Sequence, residues 1–237
     1  MKKYKIYFLL FTIFSNTLIS QNLADKKVLV VWGGWDGHKP ELFANHVENW
    51  LIKEKADYKI INGLDAYDNY DELIKYDLII QSVTMDEISK EQEENLVKAV
   101  LNGVGIAGAH GGLVDSFRKN TNYQFMIGGQ FVAHPGGMIK HKVKILDDEL
   151  TIGLSDFDIL SEQYYMHYDP SVKIIAETKF GGEVYPWIKD VIMPVAWKKM
   201  YGKGKVFFIS IGHDPDEFMV YKDGWELLTR GFMWAVR

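Results

Sequence analysis

The 237-residue chain contains no cysteine. It therefore has no disulfide, no thiolate metal ligand and no cysteine nucleophile, so any catalytic or metal site must use nitrogen and oxygen donors. Internal repeats, low-complexity tracts and linker-like segments are missing as well, and this predicts one domain of ordinary size.

Positive charge is scarce beyond the first 20 residues. That opening segment holds three lysines and no acidic residue, so the remaining chain carries 24 basic against 32 acidic side chains, a net charge of −8. An acidic surface argues against nucleic acid and against anionic membrane surfaces as partners.

The first 20 residues have the layout of a secretory signal peptide. A charged start, MKKYK, is followed by the apolar run IYFLLFTIF and the small and polar residues SNTLIS. Leu18, in the third position before the expected cut, is not small, and a retained N-terminal anchor is the alternative. We expect an exported protein, periplasmic or secreted, with a signal peptide over 1–20, one domain over 25–237 and no stable membrane insertion after cleavage.

The first half of the chain alternates strand-like and helix-like segments, which predicts a doubly wound, mostly parallel α/β sheet. Apolar runs predict strands at 27–32, 57–60, 77–82 and 104–109. Helical spacing predicts helices at 40–54, 70–74 and 89–101, the last with Ser89 and Gln92 as a capping box.

The second half is richer in strands. They are predicted at 139–146, 156–160, 172–178, 193–199 and 205–212, with a closing helix over 223–236. Gly202 and Gly204 predict a tight hairpin between the last two strands.

Five of the seven histidines lie in loops at predicted strand ends. They are His38, His110, His134, His167 and His213, whereas His46 and His141 are expected at the surface. A lone loop histidine is usually structural or solvated. Several imidazoles at one edge of a sheet point instead to metal binding or proton transfer.

Other candidates for the same edge are glycines, a carboxylate and aromatic rings. Gly33 and Gly34 follow the first strand, where they would form either a tight turn or a ligand contact. Glu162 could orient an imidazole, act as a base or bind a metal, and an exposed loop glutamate is the alternative. The aromatic residues suit sugar stacking and core packing equally well: Tyr164, Tyr165, Tyr168, Tyr185 and Trp187.

Several sequence segments, in order, resemble the ThuA-like (trehalose utilisation) family. They are VLVVWGGWDGHKP, YDLIIQS, GVGIAGAHGG, NYQFMIGGQFVAHP, EQYYMHYD, PVAWKKMYGKGKVFFISIGHD and GFMWAV. This resemblance implies the flavodoxin-like fold of class I glutamine amidotransferases and a role with trehalose-like disaccharides or their 3-keto derivatives.

The resemblance also has limits. True amidotransferases place a cysteine nucleophile in a G-x-C-x-G turn, where this chain has His110 in GAHGG. Imidazole cannot form the glutamyl thioester, so glutamine hydrolysis is excluded. Many relatives carry a further His-Pro pair where this chain has Asp148–Thr151, so a mechanism that needs that histidine fails here.

Two hypotheses follow, both with a small carbohydrate as ligand. In the first, an exported enzyme uses acid/base or metal-assisted chemistry on a sugar, with His110, Glu162 and His213 as catalytic residues. Its expected substrate-binding residues are Gly33, Gly34, His38, Gly111, His134, Tyr164 and Tyr165. Its candidate ligands for a divalent metal such as zinc are His38, His110, His134 and His213. In the second, a non-catalytic carbohydrate-binding or accessory domain retains the amidotransferase-like scaffold without its nucleophile.

Overall fold

The computed structural model describes residues 23–237. The predicted signal peptide, residues 1–20, lies outside the described residues. Within the described part, none of the helices has the length and apolar character needed to cross a bilayer.

The described chain forms eleven strands and seven α-helices. The strands are β1 Lys27–Gly34, β2 Asp57–Asn62, β3 Leu78–Thr84, β4 Gly105–Ala109, β5 Gly129–Ala133, β6 Met138–Ile145, β7 Phe157–Glu162, β8 Tyr165–Tyr168, β9 Lys173–Lys179, β10 Ile192–Tyr201 and β11 Gly204–Ile209. The helices are α1 Pro40–Glu54, α2 Tyr70–Leu73, α3 Lys90–Leu101, α4 Gly111–Val114, α5 Thr121–Ile127, α6 Glu217–Val220 and α7 Lys222–Ala235.

Nine of these strands form one sheet, in the order β2-β1-β3-β4-β11-β10-β9-β6-β7. The first five are parallel, and the four that follow pair antiparallel. The expected α/β sheet with extra strands in the second half is confirmed. The YGKGK hairpin is confirmed too, with Tyr201 opposite Gly204.

Helices cover both faces of the parallel part. Side chains alternate along β1, so Val28 and Val30 face one core while Leu29 and Val31 face the other. Helices α1 and α7 complete the first core, and α3 and α5 complete the second. This is the doubly wound arrangement that the alternating sequence pattern predicts.

The two-stranded ribbon of β5 and β8 is absent from the sequence prediction. Its strands are short and half-exposed, so they lack the apolar run that marks a buried strand. The expectation that His167 lies in a loop is wrong, because this residue is in β8 opposite Gln130. His46 and His141, expected at the surface, are both half-buried.

The topology brings the histidine-bearing segments to one place. Strands β1, β3, β4 and β11 are parallel, so their carboxyl ends share one edge of the sheet, where α/β folds hold ligands. Glu162 is the last residue of β7, which belongs to the antiparallel part of the sheet. The Tyr221 hydroxyl, next to α7, accepts a hydrogen bond of 3.1 Å from the Leu160 N–H and so holds β7 in position.

Candidate active site

His110 occupies a strained corner between β4 and α4. Its φ of 51° and ψ of −142° lie outside the regions that side chains other than glycine normally adopt. Its backbone N–H donates to the Ile209 carbonyl at 2.7 Å, which ties the corner to β11. Such a strand-to-helix corner displays a side chain above the sheet, as the nucleophile elbow of hydrolases does.

Gly111 is needed because the imidazole of His38 packs directly against it. A Cβ at Gly111 would lie 2.5 Å from His38 Cε1 and 2.6 Å from Nδ1. Gly34 has a comparable role between strands, since its φ is +77° and a Cβ there would lie 2.1 Å from the Thr84 carbonyl oxygen. These glycines allow the loop after β1 to bring His38 against the corner.

Four side chains converge at this edge: His38, His110, Glu162 and His213. One ligand-type atom from each lies within 4.8 Å of every other, and all are buried except His213, which is half-buried. The three imidazole centroids are 4.7 to 5.6 Å apart, and their planes cross at 70° to 83°. This is the only group of three or more metal-ligand-type residues found in the described residues 23–237.

The two hydrogen-bond partners of His110 require more than a neutral imidazole can supply. Its Nδ1 is 2.7 Å from the Ser210 carbonyl oxygen, and its Nε2 is 3.1 Å from Glu162 Oε2. Both neighbours are acceptors, and a neutral imidazole can donate through one nitrogen only. Because the residue is 2% exposed, either a proton or a metal ion must lie between Nε2 and the carboxylate.

The partners of the ring nitrogens match those of metal-bound histidines. Such a ligand usually donates its other N–H to a carbonyl or other acceptor, which fixes the tautomer. His110 Nδ1 has this relation to Ser210, and His38 Nδ1 lies 3.1 Å from Thr84 Oγ1. One nitrogen of each ring, Nε2, is therefore left for the cluster.

Burial and charge set the protonation of the cluster. Burial, together with His110 and His213, lowers the pKa of His38 to about 3, so this ring is neutral at ordinary pH. Burial acts to raise the pKa of Glu162, but contacts with His110 and His213 outweigh it and hold the carboxyl ionised. The Glu162 carboxylate raises the pKa of His213. One anion thus faces three imidazoles.

The loop that carries His213 is fixed by Glu217, which sequence reasoning missed. Its carboxylate accepts from the N–H groups of Gly212 at 3.1 Å and Asp214 at 3.3 Å, on both sides of the histidine. His213 Nδ1 lies 3.3 Å from Glu162 Oε2 but is not aligned for a hydrogen bond. Among the described residues it is one of three buried side-chain polar atoms without a hydrogen-bond partner, and the Glu162 carboxylate is its charged neighbour.

His134 stays outside the four-residue cluster, in contrast to its expected place among the metal ligands. Its Nδ1 is 3.6 Å from Glu162 Oε1, and its side chain is 44% exposed. Phe131 stacks on the ring, with centroids 5.7 Å apart, and holds it at the mouth of the site. His134 is therefore placed to meet a bound molecule.

The remaining expected substrate contacts lie in different positions. Tyr164 is 2% exposed and stacks under His110 at 4.1 Å, so its ring supports the imidazole and does not face solvent. Tyr165 packs against Phe180, beside the cluster. Gly33 lies near Asn62 of β2, away from the imidazoles.

Comparison with known proteins agrees with this fold. A ThuA-like protein of Bacteroides uniformis superposes with a TM-score of 0.72 at 18% identity, over 89% of this chain and 91% of its own. One from Parabacteroides merdae gives 0.69 at 14% identity, with 89% of each chain covered. A β-galactosidase of Bacillus circulans sp. alkalophilus gives 0.56 at 14% identity, over 89% of this chain and 31% of its own. These likenesses show the fold alone.

A search of curated proteins gave no match. The family model ThuA, described as trehalose utilisation, matches residues 27–235, nearly all of the described chain. The chain therefore belongs to the ThuA family.

Proposed function

We propose that the protein is an exported enzyme of carbohydrate metabolism that binds a divalent metal ion at His38, His110, Glu162 and His213 and uses it for acid/base chemistry on a sugar. The observation that carries the proposal is the pair of acceptors around the buried His110 ring. A metal ion held by His110 and Glu162 would give both side chains a partner in place of a shared proton. It would also give the buried imidazole of His213 a partner.

The donor set fits a transition metal. Three imidazoles and one carboxylate suit zinc, iron or nickel better than calcium or magnesium, which prefer oxygen ligands. A metal ligand must be deprotonated, and the lowered pKa of His38 keeps that ring neutral. A metal bound here would polarise a sugar carbonyl or hydroxyl oxygen as a Lewis acid.

The half-exposed His134 is placed to move the proton. On a 3-keto glycoside, its imidazole would take the proton from the carbon between the keto group and the anomeric carbon. The electrons of that C–H bond form a C=C bond as the glycosidic C–O bond breaks, and His134 returns the proton to the leaving oxygen. Glu162 Oε1, 3.6 Å from His134 Nδ1, stabilises the imidazolium between these two steps.

The substrate class and the cellular location rest on other grounds. The family description, trehalose utilisation, supports a trehalose-like disaccharide or its 3-keto form. The charged and apolar opening of the sequence supports export to the periplasm or beyond the cell. N-terminal sequencing of protein recovered from outside the cytoplasm should give Gln21 as the first residue.

Metal binding tests the proposal most directly. We expect one divalent ion per chain in the purified protein or after incubation with zinc, measured by elemental analysis. His110→Gln should reduce zinc occupancy at least tenfold. His167→Gln, which removes an exposed histidine of β8, should leave it unchanged. Equal occupancy in both variants, or no zinc binding by the parent protein, would overturn the metal assignment.

Turnover separates an enzyme from a binding domain. Incubation with 3-keto-trehalose in D2O should release glucose, and ¹H NMR should show that the proton beside the keto group is lost. His134→Gln should slow this release at least 100-fold, while zinc occupancy stays unchanged. Sugar binding without release or exchange would instead support the non-catalytic hypothesis, since sugar would then occupy the cleft without reacting.

A further inference from the structure

The loop between β9 and β10 carries a pair of exposed aromatic rings that the proposed chemistry does not use. Tyr185 and Trp187 stack with centroids 4.8 Å apart and planes 23° from parallel. Trp187 is 77% exposed and Tyr185 is 41% exposed. Exposed rings of this size, held together and unburied, suit a ligand with an apolar face.

The loop that carries the pair is anchored by a proline and by a buried neighbour. Pro186 lies between the two residues and is the first residue of a short 3-10 helix, Pro186–Ile188. Its ring fixes the backbone torsion φ between the two aromatic residues. Ile188 is buried with Phe180 and Met193 in a small apolar cluster under the loop. A ligand that stacks on the pair would therefore meet preformed rings at little entropic cost.

Three contacts tie this loop to the candidate active site. Gln163, next to Glu162, donates from Nε2 to Thr178 Oγ1 at 2.7 Å and to the Lys179 carbonyl at 3.3 Å, where the loop begins. Tyr165 packs on Phe180 with centroids 5.8 Å apart. On the other side, a Cβ at Gly136, two residues after His134, would lie 2.9 Å from Val184 Cγ2.

We infer that Tyr185 and Trp187 form a sugar-binding subsite beside the metal cluster, on which the second ring of a disaccharide stacks while the first ring occupies the cluster. A pyranose ring has an apolar face for Trp187 and a rim of hydroxyls. The same loop carries charged residues that could offer partners for those hydroxyls, among them the Lys179–Asp190 ion pair of 2.8 Å. This mixture of one apolar face and a charged rim favours a sugar over an apolar protein surface.

The inference rests on the proposed function for the choice of a sugar and for the position of the first ring. The part that does not depend on the proposed function is the claim that the aromatic pair increases the affinity for a disaccharide and not for a monosaccharide. Stacking on an aromatic ring contributes roughly 0.5 to 1.5 kcal/mol. At 1.4 kcal/mol for each tenfold change, this corresponds to a loss of about two- to twelvefold on removal of the ring, and we expect a loss of about three- to tenfold, within that range.

The test uses trehalose and methyl α-D-glucopyranoside as probes and isothermal titration calorimetry of the full domain after incubation with zinc. Trp187→Ala should weaken trehalose binding three- to tenfold and change methyl glucoside binding less than twofold. Trp187→Phe should recover part of the affinity. Ile152→Ala, a change at another exposed apolar side chain, is the control and should leave both affinities unchanged.

The outcomes separate the subsite from the metal chemistry. If trehalose binds the parent and Trp187→Ala equally, or binds neither, the subsite is wrong whatever the metal content. If Trp187→Ala loses trehalose affinity in a protein that takes up no zinc, the subsite stands and the metal proposal fails. Because the Trp187 side chain is mostly exposed, the thermal unfolding temperature of Trp187→Ala should match that of the parent. A difference in trehalose affinity between the two proteins would then not be due to unfolding of the variant.

Discussion

Gly111→Ala should damage the proposed metal site without altering any of its four candidate ligands. The new methyl carbon would lie 2.5 Å from His38 Cε1, whereas ordinary contacts begin near 3.4 Å, so the ring must move by roughly 0.9 Å. Displacement of a functional group by about 1 Å can cost on the order of 100-fold. We expect zinc affinity to fall by one to two orders of magnitude.

The stability effect of the same change should be small. Gly111 has no positive φ that an alanine would resist. Alanine gains about 0.4 to 1 kcal/mol through the unfolded chain, while overpacking against His38 costs about 1 to 3 kcal/mol. The net loss should therefore be about 0 to 2.6 kcal/mol, measured by urea unfolding of the metal-free protein.

A double-mutant cycle decides whether the contact with His38 is the cause. In a His38→Ala background the imidazole is gone, so Gly111→Ala should no longer destabilise and should become neutral or slightly stabilising. A coupling free energy of about 1 to 2 kcal/mol is expected for groups in direct contact. Additive effects of the two changes, or full zinc affinity in Gly111→Ala, would refute the packing argument.

Three further perturbations probe the corner, its protonation and its support. His110→Gly should be about 1 kcal/mol more stable than His110→Ala in urea unfolding, because only glycine tolerates a φ of 51° without strain. At most positions the alanine variant is the more stable of the two, and that result here would argue against strain. The pKa of His38 is about 3 in the folded protein, against the ordinary value of 6.5 for the unfolded chain. Between pH 3 and 6.5 the unfolded chain therefore binds a proton at His38 that the folded protein does not bind. The free energy of unfolding accordingly rises with pH over this range. The metal-free protein should lose about 2 kcal/mol through His38 between pH 7 and 4, after allowance for solvent screening, and His38→Gln should remove this part of the slope. Gln81→Leu should cost about 1 to 3 kcal/mol in thermal or urea unfolding, since Tyr67 donates to its buried side chain at 2.8 Å and would lose its acceptor; a neutral effect would contradict this.

The parallel half of the fold was predictable because its signals are local. Buried strands such as β3 are continuous apolar runs, and α3 begins at the predicted capping box of Ser89 and Gln92. The β5–β8 ribbon gives no such signal, since its strands are short and half-exposed. Pairing of these strands depends on tertiary contacts, which periodicity does not record.

The candidate site was predictable in its residue types but not in its membership. Glycine-flanked histidines at strand ends indicate His38, His110 and His213, because parallel strands share one carboxyl edge. His134 gives the same local signal but lies at the mouth, where Phe131 stacks on it. The site also depends on supporting groups that contact the histidines or their loops from remote segments of the chain: Thr84, Glu217 and the Ser210 carbonyl. A single sequence does not show which remote segments come into contact.

The corner itself argues against a purely structural histidine. A core histidine satisfied by its neighbours needs no strained backbone, whereas a φ of 51° at a non-glycine residue costs about 1 to 3 kcal/mol. The geometry holds Nδ1 on the Ser210 carbonyl and aims Nε2 at Glu162, with His213 Nδ1 3.3 Å from the same carboxylate but without an aligned hydrogen bond. The strain is present with or without a metal ion, whereas the second acceptor at the buried His110 ring and the His213 Nδ1 without a hydrogen bond call for a proton or a metal ion in the cluster. A bound divalent cation would satisfy both groups at once, and this supports His110 as a metal ligand at the strained corner between β4 and α4.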